Sequence, residues 1–342
     1  MDYSEIFSSS QALLEAIGRA DRLTREVHGD SVSLERAIFL SWWCERGNCS
    51  FCYMSTQKKR ISDKTRARRR VSSIFAEAEL LRRIGWKVAF VSGGYGAYSI
   101  EEIQDVTRTV FEITGEPTWL NVGVLSGSEM ELFGDEVVGV TGSVETLAMD
   151  IRDRICPGKP LKPITDMFEA AADLGLERAM TLILGLGEGA TDLPVLIDFI
   201  REHGISKITV YSLNPHAGTP YSDSPPPPSL YQAGVVAALR LEFPRLRIVA
   251  GTWIDQLPNI GVVCLAGANA ITKYPLLKMF GNRFGKKVED EIKAAGRQVK
   301  GTFTDTSLLD GELKAVVSNR NEVEAALSRY IKRINRRSEK QA

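Results

Sequence analysis

The sequence predicts an α/β fold in which eight parallel strands, each followed by a helix, form a (β/α)8 barrel of TIM type, closed or open. Short apolar runs rich in β-branched residues recur along the chain, and amphipathic stretches separate them. Near-continuous apolar strands that alternate with helices are typical of a parallel sheet covered on both faces. Eight strands over about 230 residues fit such a barrel, and a doubly wound sheet is the alternative.

The apolar runs predict the strands in chain order. They cover residues 37–40, 88–91, 119–124, 137–141, 181–184, 208–213, 247–250 and 262–265. The helices predicted between them cover residues 72–84, 100–113, 164–174, 191–203 and 229–243. A helix at 10–27 is expected to cap the lower end of the barrel, and another at 321–337 follows the last strand. These elements suggest an N-terminal capping region (1–34), a barrel (35–275) and a C-terminal helical extension (276–342).

Charge and hydropathy exclude several classes of protein. The 43 basic and 43 acidic side chains give a formal net charge of zero, whereas nucleic-acid-binding domains usually carry a basic excess. No apolar run approaches the roughly 18 residues of a membrane span. The first residues also lack the basic-then-apolar order of a secretory signal. We therefore expect a cytoplasmic protein with neither a nucleic-acid nor a membrane partner.

Three of the five cysteines lie close together directly after the first predicted strand. Cys44, Cys49 and Cys52 have the spacing CxxxxCxxC, with aromatic residues on both sides. In a chain without an export signal, close cysteines more often bind metal than form disulfides. Three ligands are one short of a closed site, so either a distant residue completes a zinc or iron–sulfur site or one position is open to substrate.

The cysteine segment and the segment after the second strand resemble the radical S-adenosylmethionine (SAM) superfamily, in particular its biotin-synthase-like branch. That family commonly spaces its cysteines CxxxCxxC, one residue shorter than here, with an aromatic residue before the third, where this chain has Phe51. Ser92, Gly93 and Gly94 are similar to the family's GGE element, with Tyr95 in place of the glutamate. Glycine at such a position lets a backbone approach a ligand closely.

Further segments at the predicted strand ends carry the same resemblance. The polar segment 143–146 follows the fourth strand, a GLGE turn (185–188) ends the fifth, and an NPHAGTP segment (214–220) ends the sixth. An AGAN segment (266–269) resembles the end of biotin synthase. The resemblance implies that Cys44, Cys49 and Cys52 hold a [4Fe–4S] cluster. It implies SAM contacts from Ser92, Gly93, Gly94, Asn121, Glu145, Gly185, Gly187 and Asn214.

The resemblance also implies a reaction class. A [4Fe–4S] cluster and SAM would give a 5′-deoxyadenosyl radical that abstracts hydrogen from a substrate, with a low-potential electron donor as partner. Biotin synthase itself is not expected, because strands two, three and five lack its second-cluster cysteines and Thr252 stands at its strand-seven arginine.

Within that branch, archaeal-type two-component lipoyl synthases are the first expectation. They insert sulfur into an octanoyl chain carried by a protein of lipoyl-domain type. The alternative is a radical carbon-skeleton rearrangement of a small molecule or a cofactor-assembly reaction, in an enzyme resembling methylornithine synthase or the maturases of hydrogenase cofactors. A non-catalytic iron–sulfur or zinc protein is the third.

Two cysteines lie outside the cluster. Cys156 follows the fourth strand between Arg154 and Lys159, and these charges predict a depressed thiol pKa. We expect Cys156 to be catalytic, as a ligand of an auxiliary iron–sulfur cluster or as a sulfur relay, with plain packing as the alternative. Lys159 or Arg154 is a candidate partner for the SAM carboxylate. Cys264, in the last predicted strand, is expected to pack in the core.

Overall fold

The computed structural model describes residues 3–58 and 60–338. Eight parallel strands form a closed barrel, in which β2 to β8 pair in chain order and β1 joins β8 to β2. This confirms the predicted (β/α)8 barrel. The strands are β1 (Ser31–Phe39), β2 (Lys87–Ser92), β3 (Thr118–Asn121), β4 (Val137–Glu145), β5 (Glu177–Leu184), β6 (Lys207–Ser212), β7 (Arg247–Gly251) and β8 (Ala270–Thr272).

Helices follow the strands and cover the outer wall of the barrel. In α4, Ser99 and Glu102 bond reciprocally to each other's backbone N–H at the start, and Gly115 ends the helix in a left-handed conformation. Within residues 3–58 and 60–338, no helix combines the length and hydropathy that crossing a lipid bilayer requires. The α-helices are α1 (Ser10–His28), α2 (Tyr53–Gln57), α3 (Val71–Arg83), α4 (Ile100–Thr114), α5 (Gly127–Met130), α6 (Met149–Ile155), α7 (Lys162–Asp173), α8 (Leu193–Glu202), α9 (Ser229–Glu242), α10 (Asn259–Leu265), α11 (Leu276–Met279), α12 (Arg283–Ala294) and α13 (Arg320–Ser338).

The last predicted strand is wrong. Residues 262–265 lie inside α10, and the eighth strand is the three-residue β8 that follows the AGAN segment. A four-residue apolar run fits a buried helix as well as a strand, so periodicity alone could not separate them. Cys264 is fully buried, as expected, but it lies on this helix. The other predicted strands overlap observed ones.

The segments at both ends of the chain pack against the barrel. Helix α1 runs beside α9, so that Leu13 lies against Gly234 and Thr24 lies against Gly267. This places α1 along the outer wall rather than across the lower end of the barrel. At the other end of the chain, a ninth strand, β9 (Gln298–Lys300), pairs in parallel with the first residues of β1. One continuous apolar core includes residues from all of these elements.

The inside of the barrel is filled in layers below the carboxyl ends of the strands. In the lowest layer, Glu35 on β1 forms ion pairs with Arg247 on β7 and with Lys207 on β6, the latter at 3.2 Å. The Lys207 ammonium lies 5.3 Å from the ring centre of Trp119, and Trp119 belongs to an apolar cluster that Tyr211 joins. A ligand can therefore be held only above this aromatic layer, at the carboxyl end of the strands, which we call the barrel mouth.

Candidate functional site at the barrel mouth

The cysteine loop, residues 40–52, follows β1 and lies between the loops after β2 and β4. The backbone N–H of Glu45 donates a hydrogen bond of 2.9 Å to the carbonyl of Tyr95. The backbone N–H of Ser50 donates another, also of 2.9 Å, to the carbonyl of Ile155. These bonds tie the loop to the segment after β2 and to the last residue of helix α6 (Met149–Ile155).

The three cysteines of this loop are half-buried free thiols in different electrostatic surroundings. The Cys156 thiol donates a hydrogen bond to the Cys49 sulfur, and this bond lowers the pKa of Cys49 to about 7. Burial raises the pKa of Cys52 to about 11. Of Cys49 and Cys52, Cys49 therefore deprotonates more readily. Because metal ions bind thiolates, it is also the readier of the two to bind a metal.

Cys156 differs from its expected state. It is buried, and its pKa is raised because its proton is held in the bond to Cys49 and because burial disfavours the thiolate. The ammonium of Lys159 lowers this pKa, as expected, but the two raising effects outweigh it, and the same ammonium forms a 2.5 Å ion pair with Glu145. Arg154 is exposed. Cys156 nevertheless lies directly beside the cysteine loop, so four of the five cysteines are near the barrel mouth.

The residues of the cysteine loop suit an iron–sulfur cluster by their chemistry. In the part of the chain that the structure describes, no three His, Cys, Asp or Glu side chains converge as a ready-made metal site. The donor set is nevertheless three thiols on one loop, none of them in a disulfide. A closed structural zinc site takes four ligands, whereas three thiolates leave one iron of a [4Fe–4S] cluster open to an external ligand. Cys44, Cys49 and Cys52 are the residues that would hold it.

Gly94 packs directly on the cysteine loop. A Cβ at this position would lie 2.0 Å from the carbonyl oxygen of Trp43 and 2.6 Å from the Cα of Cys44. At Gly93, by contrast, a Cβ would lie 3.7 Å from the Cβ of Leu40, which is an ordinary contact. The glycine at position 94 thus has a structural reason of its own, independent of any ligand.

The ends of β2, β3 and β4 are joined by short hydrogen bonds. Ser92 pairs with Asn121, and the backbone N–H of Gly93 donates to the Asn121 carbonyl at 3.2 Å. The Asn121 side-chain oxygen accepts a 2.9 Å bond from the Ser143 hydroxyl. The predicted SAM contacts on these three strands therefore lie side by side.

Glu145 ends β4 in a strained conformation. Its backbone φ is +68°, a region that residues other than glycine rarely adopt. Its carboxylate holds the Lys159 ammonium and accepts a hydrogen bond of 3.2 Å from the Thr181 hydroxyl. All three side chains are buried. Lys159 is thus paired within the protein.

The turn after β5 is closed by its own glutamate. Gly185 and Gly187 have φ values of +98° and +119°. The Glu188 carboxylate accepts hydrogen bonds from the backbone N–H groups of Gly185, at 2.8 Å, and Leu186, at 2.9 Å. The positive φ values explain the two glycines by backbone conformation.

The loop after β6 contacts both the cysteine side of the mouth and the β5 turn. Asn214 is buried in it, and the His216 ring lies 5.7 Å from the ring of Tyr53 on α2. The Tyr221 hydroxyl donates to the carbonyl of Leu186 at 3.1 Å. The structure therefore places each predicted site residue at the carboxyl end of a strand or in the loop that follows it.

Lys273, which directly follows β8, is a residue of the mouth that the sequence did not predict. Its ammonium lies 4.8 Å from the ring centre of Tyr211, and its backbone φ is +80°. Burial lowers the pKa of Lys273 to about 8, against the opposing effect of Glu145 and Cys52. The reason that it was not predicted is the wrong position of the eighth predicted strand, residues 262–265. With β8 at its true position, a lysine directly after it would have been predicted to lie at the barrel mouth.

Fold and site together define a (β/α)8 barrel with a free three-cysteine loop after its first strand. A family model described as the Radical SAM superfamily matches residues 40–200. The uncharacterized protein MJ0597 of Methanocaldococcus jannaschii is 44% identical over 303 residues, which are 88% of this chain and 84% of that protein. A biotin synthase of Methylobacterium sp. is 24% identical over 273 residues, 76% of this chain and 80% of the synthase.

Solved structures share the fold. Methylornithine synthase superposes with a TM-score of 0.71 at 19% identity, covering 85% of this chain and 90% of its own. HydG, a maturase of the FeFe-hydrogenase, gives a TM-score of 0.69 at 15% identity, covering 85% of this chain and 69% of its own. The chain belongs to the radical SAM superfamily. It is an enzyme of that superfamily related to biotin synthase, and membership implies a [4Fe–4S] cluster and SAM.

Proposed function

We propose that this enzyme abstracts hydrogen from a small molecule in the barrel mouth and rearranges its carbon skeleton without supplying sulfur. The distribution of the cysteines supports this proposal. Outside the cysteine loop the chain has only Cys156 and Cys264. Cys156 lies at the mouth, whereas Cys264 is fully buried on α10, a helix that packs against α9 and α12. Two thiols on such different elements make a poor ligand set for a sulfur-donating second cluster.

The likeness to methylornithine synthase favours the same choice. The name of that enzyme denotes the formation of a small amino acid, and the superposition covers 90% of its chain. A small substrate also suits a barrel whose interior is closed by the aromatic layer of Trp119 and Tyr211.

The chain's own residues would hold the reactants and shield them from water. A bound [4Fe–4S] cluster with SAM supplies the 5′-deoxyadenosyl radical. The loops after β1, β2 and β4 are bonded to one another and would keep solvent away from it. The buried Glu145–Lys159 pair keeps the end of β4 in its strained conformation. The predicted SAM contacts remain Ser92, Gly93, Gly94, Asn121, Glu145, Gly185, Gly187 and Asn214.

Sulfur insertion into a protein-bound octanoyl chain is the second candidate. The observation that favours it is the Cys156 thiol, which lies within hydrogen-bonding distance of Cys49 and so beside the proposed cluster. A thiol at that place suits a sulfur relay or a ligand of an auxiliary cluster. Both candidates need a low-potential electron donor. Both also suit a reducing compartment such as the cytoplasm, because the five cysteines are free thiols.

Two measurements separate these candidates. The anaerobically reconstituted enzyme is assayed for iron and sulfide. It is then incubated with SAM, dithionite and a panel of perdeuterated amino and hydroxy acids, and with an octanoylated lipoyl domain. We expect about four irons per chain and deuterium transfer from one small acid into 5′-deoxyadenosine. About eight irons with sulfur gained by the lipoyl domain would overturn the first candidate in favour of the second.

A further inference from the structure

Lys273 stands out because it is a half-buried cation without an acidic partner. In the part of the chain that the structure describes, its ammonium forms no ion pair and donates no hydrogen bond, and it lies over the face of the Tyr211 ring. Lys159 and Lys207, which also lie at the mouth and in the barrel interior, are paired with Glu145 and Glu35 respectively. Lysines removed from water are almost always paired with an anion.

The backbone at Lys273 is strained in the same way as at Glu145. Among the described residues, these are the two non-glycine positions with positive φ, +80° and +68°. Lys273 directly follows β8, and Glu145 ends β4. These two strands stand four apart in the closed barrel and hence on opposite sides of the mouth. Strained positions of this kind persist where the surrounding structure holds them, and they cluster at ligand sites.

The groups that face Lys273 leave its charge largely unanswered. Tyr211 on β6 presents its ring, and His216 in the loop after β6 has its pKa lowered by burial and by the Lys273 charge. Glu145 attracts Lys273 from across the mouth, but it is already held by Lys159. Cys52 exerts a weaker attraction from the cysteine loop. An anion on the side of the ammonium that faces away from the Tyr211 ring would complete this arrangement.

We propose that Lys273 binds the carboxylate of a small acid substrate in the barrel mouth, on the side of the ammonium that faces away from the Tyr211 ring. An ammonium group donates up to three hydrogen bonds, and a carboxylate that accepts from it makes a charge-assisted bond and neutralises its charge. This inference rests on the proposed function, because an octanoyl chain joined to a protein lysine is an amide and no longer carries a carboxylate.

The test uses the cluster-loaded full chain and matched pairs of acids and amides. Equilibrium dialysis measures the affinity of acetate, butyrate and hexanoate, and of their amides, for four proteins. These are wild type, Lys273→Met, Lys273→Arg and Lys278→Met. Lys278 is an exposed lysine five residues further along the chain and serves as the control. We expect at least one acid to bind wild type tenfold more tightly than its amide. Lys273→Met removes that preference, Lys273→Arg retains part of it, and Lys278→Met leaves it unchanged.

A second arm asks whether the carboxylate belongs to SAM. SAM binding to Lys273→Met should stay within twofold of wild type, and a loss of tenfold or more would assign Lys273 to SAM and overturn the proposal. Equal affinities of acids and amides for wild type, or an acid preference that survives in Lys273→Met, would also overturn it. Sulfur transfer to the lipoyl domain together with a Lys273-dependent acid preference would instead reject the proposed function alone.

Folding provides a readout that a structural lysine would not give. Because an unpaired shielded charge opposes folding, Lys273→Met should raise the urea midpoint of the ligand-free protein, whereas Lys278→Met should not. A lower midpoint for Lys273→Met would mean that the lysine stabilises the fold, and this would count against a ligand-binding role.

Discussion

The ammonium of Lys159 lies 2.5 Å from a carboxylate oxygen of Glu145, and both side chains are buried behind the cysteine loop. The backbone carbonyl of Lys159 also accepts a 2.9 Å hydrogen bond from the buried guanidinium of Arg152. The loop after α6 is thus held on the end of β4 by charge. Since Cys156 lies in that loop and contacts Cys49, the same pair helps to position the proposed cluster.

Removing one partner of this pair should be costly. Lys159→Met leaves a buried carboxylate without its cation, and we expect a loss of about 3–5 kcal/mol in the free energy of unfolding. Urea unfolding of the cluster-free protein measures it, and the double variant Glu145→Gln/Lys159→Met should recover much of the loss. Lys162, which pairs with Asp166 on the surface at 2.6 Å, supplies the control. If Lys162→Met lowered the free energy of unfolding as much as Lys159→Met, the buried pair would stabilise the protein no more than the surface pair does.

Gly94→Ala should damage the iron site where Gly93→Ala does not. The added methyl group would collide with the backbone of Trp43 and Cys44, so the cysteine loop must move, at a cost of about 1–3 kcal/mol. The measurements are iron per chain after anaerobic reconstitution and urea unfolding of both variants. We expect Gly94→Ala to lose most of its iron and Gly93→Ala to stay near wild type. Equal iron contents would show that the loop has room to adjust.

The cysteines should divide into two groups by iron binding. Alanine at Cys44, Cys49 or Cys52 should abolish the brown colour and the bound iron of the reconstituted protein, because each removes one of three ligands. Cys264→Ala should keep full iron. The cavity it leaves in the core should lower the free energy of unfolding by about 1 kcal/mol. The visible absorbance and the iron content of each reconstituted variant test this division. A triple alanine variant with unchanged iron would show that the cluster is bound elsewhere.

Acid should destabilise the barrel through Glu35. Burial by itself would raise the pKa of Glu35, but Lys207 and Arg247 outweigh it and hold the pKa at about 2, below the ordinary 4.5. The lowered pKa contributes stability that is present above pH 4.5 and is lost as the pH falls toward 2, in total about 3 kcal/mol. Urea unfolding of cluster-free protein between pH 7 and 3 tests this. Glu35→Gln should be less stable at pH 7 and should show a flatter acid dependence, and an unchanged slope would remove Glu35 as the cause.

Much of the architecture could be predicted because its signals are local. Apolar runs such as 181–184 and 208–213 are bounded by turn residues, and each proved to lie within or overlap a strand. The exception at 262–265 is a run too short to show a period, so its place in a helix depends on packing against α9 and α12. β9 escaped prediction for a related reason, since three residues become a strand only when β1 is present to pair with them.

The cysteine loop could be found from spacing, but the electrostatics of the site could not. The sequence placed Cys156 between two cations, but Arg154 is exposed, and hydrogen bonding to Cys49 and burial raise the pKa of Cys156 against the opposing effect of Lys159. Lys273 carried a signal only once β8 was correctly placed. Glu35 lies more than a hundred positions from its partners Lys207 and Arg247 in the chain, and no local pattern encodes such a pairing.

The pairing of β9 with the start of β1 has a consequence for synthesis on the ribosome. Ser31–Ser33 emerges from the ribosome well before its partner Gln298–Lys300. Until that partner is made, this strand presents an unsatisfied edge that other chains can join. Nascent polypeptides that stop short of residue 298 should consequently aggregate or bind chaperones. Chains that include β9 pair this edge of β1 themselves.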